Sequence, residues 1–240
     1  MLLITISTIV RHEVFGISSL VIPDENERIY FPSSQLTYAG ALQFEITYKK
    51  AYFTFPIFEN LSYSFYFDSS YGFGFAYGNL SSLSIGANAF KHKNEFYFII
   101  GLHYKFLKNS ELKLAIDIKD SAYFRGFFSI GAFEQTNFRL AIERRNNIFL
   151  SLGIFYEPTI YRFLSFGISA IDSNYYAFSN VEFFIYRQYV GLRAGVYENL
   201  RENSIFLNYG FSLNYENLRA DIILNEEDFK IGFYYKFKIF

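Results

Sequence analysis

The sequence contains no cysteine, no tryptophan and only four prolines. The absence of cysteine excludes disulfide bridges and thiolate metal sites. Its formal net charge is −1, so the composition gives no support for a nucleic-acid-binding protein. No apolar run approaches the length of about 20 residues that a membrane-spanning helix needs. Aromatic residues are abundant instead, since 32 Phe and 22 Tyr make up 22% of the chain.

Apolar residues alternate with small or polar residues along most of the chain. Over residues 205–215 every odd position is apolar, and the positions between are Phe, Asn, Gly, Ser and Asn. Successive side chains of a strand point to opposite faces, so this pattern predicts a strand with one apolar and one mostly small, polar face. A biased base composition can raise the Phe content but cannot place Phe at every second position. Pro56 is the weakest point of the pattern, because proline removes one ladder hydrogen bond.

About sixteen such stretches follow one another, each of roughly eight to twelve residues, which is enough to cross a membrane on a tilt. Short polar turns separate them, such as residues 145–147 and 172–174, so neighbouring strands are antiparallel. A soluble sandwich needs a second sheet over each apolar face, whereas a closed barrel turns these faces to lipid. The pattern predicts an all-β, transmembrane, antiparallel up-and-down β-barrel of about sixteen strands, with fourteen as the alternative and short turns on both sides. A soluble all-β protein is the minor alternative.

The N-terminal residues differ from the rest of the chain. An apolar run over residues 2–10 precedes polar Arg11, His12 and Glu13, and a small-x-small-like site follows at residues 14–16. This order is typical of a secretory signal, although no basic residue precedes the apolar run. We therefore expect a signal peptide over residues 1–16, an N-terminal periplasmic segment over 17–35 and the barrel over 36–240.

The C-terminal stretch, residues 229–240, is aromatic and ends in Phe240. With the alternation and the short turns, it makes residues 36–240 resemble a porin-like bacterial outer-membrane β-barrel. The resemblance implies an outer-membrane location, the lipid bilayer and the barrel assembly machinery as partners, and Phe240 as the assembly signal. The register departs from the usual one, because Phe240 directly follows Ile239 and shares the parity of two lysines. Monomer and homo-oligomer are both compatible with this resemblance.

A fainter resemblance lies just before the first strand. The residues Phe-Pro-Ser-Ser-Gln-Leu at positions 31–36 resemble the Asn-Pro-Ala-Gly-Leu element near the start of FadL-like and PorV-like barrels. Only Pro32 and Leu36 match, so no function follows from this resemblance.

Charged residues interrupt the small, polar face that we expect to line the lumen. One set is expected to form a cationic band near the periplasmic mouth, comprising Arg139, Arg162, Arg193, Arg219, Lys236 and Lys238. Further lumen charges are expected at Glu45, Lys105, Lys113, Asp117, Arg125, Glu143 and Asp221. A positive ring would favour anions in a wide, water-filled pore. Alternatively, these cations solvate the rim of the barrel or pair with Glu143 and Asp221.

Catalytic or metal-binding patterns have little support in the sequence. Its three histidines are His12 in the predicted signal, His92 in a Lys-rich turn and His103 on a predicted inward face. None has the spacing of a metal site or of a catalytic motif. We therefore predict no enzyme activity, no metal and no cofactor.

Three functions are compatible with the predicted barrel. Small and polar inward residues favour a water-filled passive diffusion channel for small hydrophilic solutes, with a weak anion preference. Short loops favour a non-conducting structural or scaffolding barrel of the envelope. A FadL-like carrier of hydrophobic molecules is favoured by inward aromatic residues, namely Phe127, Phe149, Phe155, Phe163, Phe184, Phe206 and Tyr234.

Overall fold

The computed structural model describes residues 31–32, 41–47, 50–58, 60–67, 71–79, 82–92, 95–107, 110–118, 122–133, 135–144, 148–159, 162–185, 189–215, 218–224 and 229–238. The predicted signal peptide, most of the predicted periplasmic segment and Phe240 lie outside these residues. No helix in the described part of the chain is long and apolar enough to cross a membrane.

The described residues form sixteen β-strands. In chain order they are β1 (Ala41–Thr47), β2 (Lys50–Phe58), β3 (Leu61–Phe67), β4 (Tyr71–Gly78), β5 (Leu83–His92), β6 (Glu95–Leu107), β7 (Ser110–Ile118), β8 (Ala122–Phe133), β9 (Thr136–Arg144), β10 (Ile148–Thr159), β11 (Arg162–Ile171), β12 (Asn174–Ile185), β13 (Val190–Asn199), β14 (Ser204–Tyr215), β15 (Leu218–Leu224) and β16 (Phe229–Lys238).

The sheet closes into a barrel in which each strand pairs with its neighbours in the sequence. The closing contact joins the first and last strands, which run antiparallel with Phe44 opposite Tyr235. All other pairs are antiparallel as well, so the topology is up-and-down throughout. The predicted all-β barrel is thus confirmed, with sixteen strands in the described chain rather than the alternative fourteen.

The two faces of the wall meet different surroundings, as the alternation predicts. On the outer face large apolar side chains are exposed, for example Leu152 at 49% and Ile168 at 58%. On the inner face Ser165 and Ser212 are fully buried. Soluble monomers rarely expose contiguous apolar patches larger than a few hundred Å², whereas this apolar face continues from strand to strand around the barrel. The outer face is therefore suited to lipid rather than to water.

Pro56 lies where the pairing between β2 and β3 becomes irregular. It is opposite Ser62, and the register shifts between Pro56 and Phe58. A bulge is one of the few positions in a sheet that tolerate a proline. The strand predicted around Pro56 therefore forms despite the proline.

Phe31 and Pro32, which we expected in the periplasm, lie inside the barrel. Phe31 is 8% exposed and belongs to a cluster of buried side chains from the inner wall. Pro32 lies against Gly101 of β6, whose inward neighbours are Ile99 and His103. The interior offers these two residues an apolar contact that water does not. The assignment of residues 17–35 to a periplasmic segment stays a prediction.

A lysine on the outer face should destabilise the barrel according to its depth in the membrane. Leu152 lies well inside β10 and Ile148 begins this strand, and both are exposed outer-face residues. We expect Leu152→Lys to lower the free energy of unfolding by about 2–4 kcal/mol and Ile148→Lys by about 0–1 kcal/mol. Denaturant titration of the protein folded in lipid vesicles measures both. Equal effects would contradict a lipid-facing wall.

Candidate functional site

The inner wall carries a continuous band of buried apolar side chains, which we call the inner apolar band. It takes one residue from each of eight successive strands, β5 to β12: Phe90, Ile99, Ala115, Phe127, Ala141, Phe155, Phe163 and Phe178. Tyr66 of β3 and Phe31 complete the cluster, and Tyr97 and Tyr197 pack against it. The interior therefore has an extended apolar surface, although small polar residues dominate much of the inner face.

Glycines in the wall let some of these aromatic rings lie against the backbone. A Cβ atom placed on Gly153 would lie 2.8 Å from Phe155 Cε2 and 3.1 Å from Phe178 Cζ. A Cβ atom on Gly72 would lie 2.6 Å from Phe90 Cδ1 and 2.8 Å from Tyr66 Cδ2. Any side chain at these two positions would push the rings away from the wall.

Cationic side chains lie over the faces of three inward phenylalanine rings. The guanidinium carbon of Arg139 is 4.4 Å from the centroid of Phe155. Lys113 Nζ lies 5.0 Å from the centroid of the Phe127 ring. The guanidinium carbon of Arg193 lies 5.4 Å from the centroid of the Phe184 ring. A cation over a ring face is stabilised by the ring quadrupole, more strongly where water is excluded. The ring faces thus help to hold the inward cations.

Two ion-pair clusters join strands β6 to β9 on the inner face. Glu111 accepts contacts from His103 Nε2 at 2.9 Å and Lys113 Nζ at 3.1 Å. Arg125 binds Asp117 at 2.8 Å and Glu143 at 3.2 Å. The His103, Lys113 and Arg125 side chains are almost fully buried. Each of these three side chains therefore lies beside a carboxylate.

A third cluster, the Arg193 network, joins strands β12 to β15. Arg193 Nε donates to Glu182 Oε2 at 2.5 Å, and Arg193 Nη1 donates to Ser212 Oγ. Ser212 Oγ in turn donates to Asp221 Oδ1 at 2.5 Å, and Arg193 Nη1 is 3.9 Å from the same oxygen. One guanidinium thus serves two carboxylates, all nearly excluded from water. The charge of Arg193 is balanced within the wall.

Most of the predicted lumen charges occupy inward positions. The structure places the following residues on the inner face: Lys105, Lys113, Asp117, Arg125, Arg139, Glu143, Arg193 and Asp221. Register positions on the inner face are also taken by Glu45, Arg219, Lys236 and Lys238. Glu111 is missing from the predicted lumen charges, although its alternation with Lys113 would have found it. Glu182 shares the inward orientation that the sequence predicts for Arg193 and Asp221, and it is buried.

Arg162 is the exception to the predicted cationic band. It is the first residue of β11 and pairs with Phe183, an exposed residue of the outer face. The next residue, Phe163, is buried on the inner face. Because inward and outward positions alternate strictly, the position of Arg162 belongs to the outer series. The backbone register therefore differs from the predicted inward position of Arg162, and the cationic band as a whole stays a prediction.

The inward side chains of the described strands are tightly packed. Arg139 is 7% exposed and Asn208 7%, while Ser165 is fully buried. Side chains that line a wide, water-filled pore would be exposed to the water in it. The interior at these residues is therefore filled rather than wide open. No group of metal-ligating side chains occurs in the part of the chain that the structure describes.

Removing the central cation of the Arg193 network should destabilise the barrel. Arg193→Met leaves Glu182 and Asp221 buried without this cation, and breaking a buried ion pair in this way costs about 3–5 kcal/mol. Arg144→Met is the matched control, because Arg144 is exposed at the end of β9. We expect the control to change the free energy of unfolding by less than about 0.5 kcal/mol. Equal unfolding midpoints for the two variants would contradict a stabilising role of the network.

The sequence matches no protein-family model and no curated protein. Among solved structures, a mutant of the Rh. blastica porin aligns with a TM-score of 0.56 at 9% identity, covering 82% of this chain and 98% of the porin. The Pseudomonas putida toluene transporter TodX aligns with a TM-score of 0.52 at 12% identity, over 96% of this chain and 97% of TodX. The monoaromatic hydrocarbon channel CymD aligns with a TM-score of 0.50 at 10% identity, over 95% of this chain and 97% of CymD. With the closed wall and its apolar outer face, these likenesses show that the chain has the fold of the bacterial outer-membrane β-barrels.

Proposed function

We propose that this protein is a passive channel of the bacterial outer membrane and that it carries small apolar molecules along the inner apolar band. The observation that carries the proposal is the continuity of this band over eight successive strands, β5 to β12. Interiors of outer-membrane barrels that pass hydrophilic solutes are polar. An apolar surface inside such a barrel suits a solute that is poorly soluble in water.

The chemistry of the band favours aromatic solutes in particular. Phe155 and Phe163 lie 5.9 Å apart between ring centroids, and Phe90 and Tyr97 are stacked at 4.7 Å. Aromatic rings associate through stacked and edge-to-face contacts at such distances. A small aromatic molecule can make the same contacts with the band that the rings make with one another.

Two structures of the same fold support this choice of solute by analogy. TodX is named a toluene transporter, and CymD a monoaromatic hydrocarbon channel. Both align over nearly the whole of this chain. The three solved structures described above are a porin, a transporter and a channel, which favours a transport role.

A second candidate is passage of small hydrophilic solutes along the other side of the lumen. Strands β12 to β15 carry a polar sector there, made of Asn180, Glu182, Arg193, Asn208, Ser212 and Asp221. Its hydrogen-bonding groups can replace part of the water around a polar solute. Two carboxylates offset the charge of Arg193, and Arg139 is a further inward cation of the described wall. A barrel that passes neither kind of solute would be structural.

A charge within the band should slow the passage of an apolar solute. Ala141 is 3% exposed in the middle of the band, so Ala141→Asp places a carboxylate on the proposed path. We expect the uptake of toluene by vesicles that contain the barrel to fall on the order of tenfold, because the solute must pass a charged group that holds water.

Asn208→Asp is the matched control for this variant. It adds the same charge to the inner face, but in the polar sector on β14. Toluene uptake should remain unchanged in the control. Equal toluene uptake by the two variants would contradict the proposed function. It would also be contradicted if the unchanged protein took up no toluene.

Single-channel recording in planar bilayers tests the second candidate. If hydrophilic solutes pass, Arg139→Gln should lower the permeability of chloride relative to potassium, because it removes an inward positive charge. Arg162→Gln is the control, since the backbone register places Arg162 in the outer series. A silent bilayer, or the same ratio in both variants, would argue against an anion-favouring polar pore.

A further inference from the structure

One member of the inner cluster comes from outside the barrel wall. Phe31 is 8% exposed and belongs to the same buried cluster as Phe90, Ile99 and Phe127. All other described members of this cluster belong to strands. Phe31 therefore occupies apolar surface that the wall by itself would leave uncovered.

Gly101 provides the space that holds this part of the chain against the wall. A Cβ atom on Gly101 would lie 2.9 Å from Pro32 Cδ and 3.2 Å from the Pro32 backbone nitrogen. The proline ring and backbone cannot turn away like the end of a flexible side chain, so any larger residue at 101 would displace the segment. Ile99 and His103, the inward positions on either side, both carry large side chains. Because Gly101 has no side chain, Pro32 can lie directly against the strand at this position.

We propose that Phe31 occupies a binding site on the inner apolar band that takes one small, neutral aromatic molecule. Phe31 is a tethered occupant of this site, and an incoming solute must displace it. This inference rests on the proposed function, since it names the site on the band where the transported molecule binds. The chemistry is the same for both occupants, because each buries one aromatic ring among apolar side chains.

Tethering makes Phe31 an effective competitor. A group that belongs to the same chain as its binding site competes at an effective concentration that a free solute must match. Phe31→Ala removes the competing ring and leaves the wall unchanged. We expect toluene uptake by vesicles containing the variant to rise on the order of tenfold, because the solute no longer has to replace the buried ring of Phe31.

The chain has no cysteine, so an engineered disulfide can report directly on the docked segment. The double variant P32C/G101C places two thiols at positions that lie in contact, since a Cβ atom on Gly101 would be 3.2 Å from the Pro32 backbone nitrogen. Such closeness is what a disulfide requires. P32C/G210C is the matched control, because Gly210 is an inward residue of β14, eight strands from β6 and hence on the opposite wall. P32C/I99C is a second test pair in case a side chain at position 101 prevents docking.

The experiment follows disulfide formation under mild oxidation, with and without toluene. We expect P32C/G101C or P32C/I99C to cross-link and P32C/G210C to remain open. Toluene should slow the cross-link in proportion to its concentration, whereas glycerol should not. The oxidised protein should take up toluene more slowly, and reduction should restore the rate. Heat-modifiable mobility on gels checks that each variant is folded.

The outcomes separate this inference from the proposed function. If neither test pair cross-links faster than the control pair, Phe31 is not docked there and the inference fails, whatever the uptake of toluene. If a test pair cross-links but toluene does not slow it, while the unchanged protein takes up toluene, competition fails and the proposed function stands. If toluene slows the cross-link but no variant transports it, the binding site stands and the proposed function fails.

Discussion

Closure of the sheet is the constraint on which the rest of this structure depends. In a bilayer no water is available to backbone N–H and C=O groups, so a sheet must pair every strand on both sides. The contact of β1 with β16 meets this requirement, with Phe44 opposite Tyr235. Once the wall is closed, every outward side chain meets lipid and every inward side chain meets the interior. The exposure of Leu152 and the burial of Ser165 follow from this division.

The closed wall also determines how charge is arranged inside. A charged group that is removed from water is stable only where opposite charges and hydrogen bonds replace its hydration. In the Arg193 network Ser212 links the guanidinium to Asp221, and Glu182 binds the same guanidinium directly. These contacts hold the polar side of the interior together. They also leave little net positive charge at Arg193 to attract anions.

The two sides of the interior differ in what they can bind. The apolar band offers aromatic contacts, and the polar side offers hydrogen bonds that are already largely satisfied within the wall. Phe31 is drawn to the band for the same physical reason that a small aromatic solute would be. Gly101 then sets where Phe31 and Pro32 lie, since Pro32 fits only beside a residue without a side chain.

The strands, their two faces and the barrel could be predicted from alternation, because it is a local property with a period of two residues. The contacts between side chains of different strands, such as those of Arg125 with Asp117 and Glu143, became visible only in the folded barrel. These contacts depend on register, which no short stretch of sequence contains. The position of Arg162, at the very start of its strand, depended on register in the same way. The position of Phe31 and Pro32 inside the barrel could not be predicted either, because the apolar surface that attracts Phe31 exists only after eight separate strands have been brought side by side.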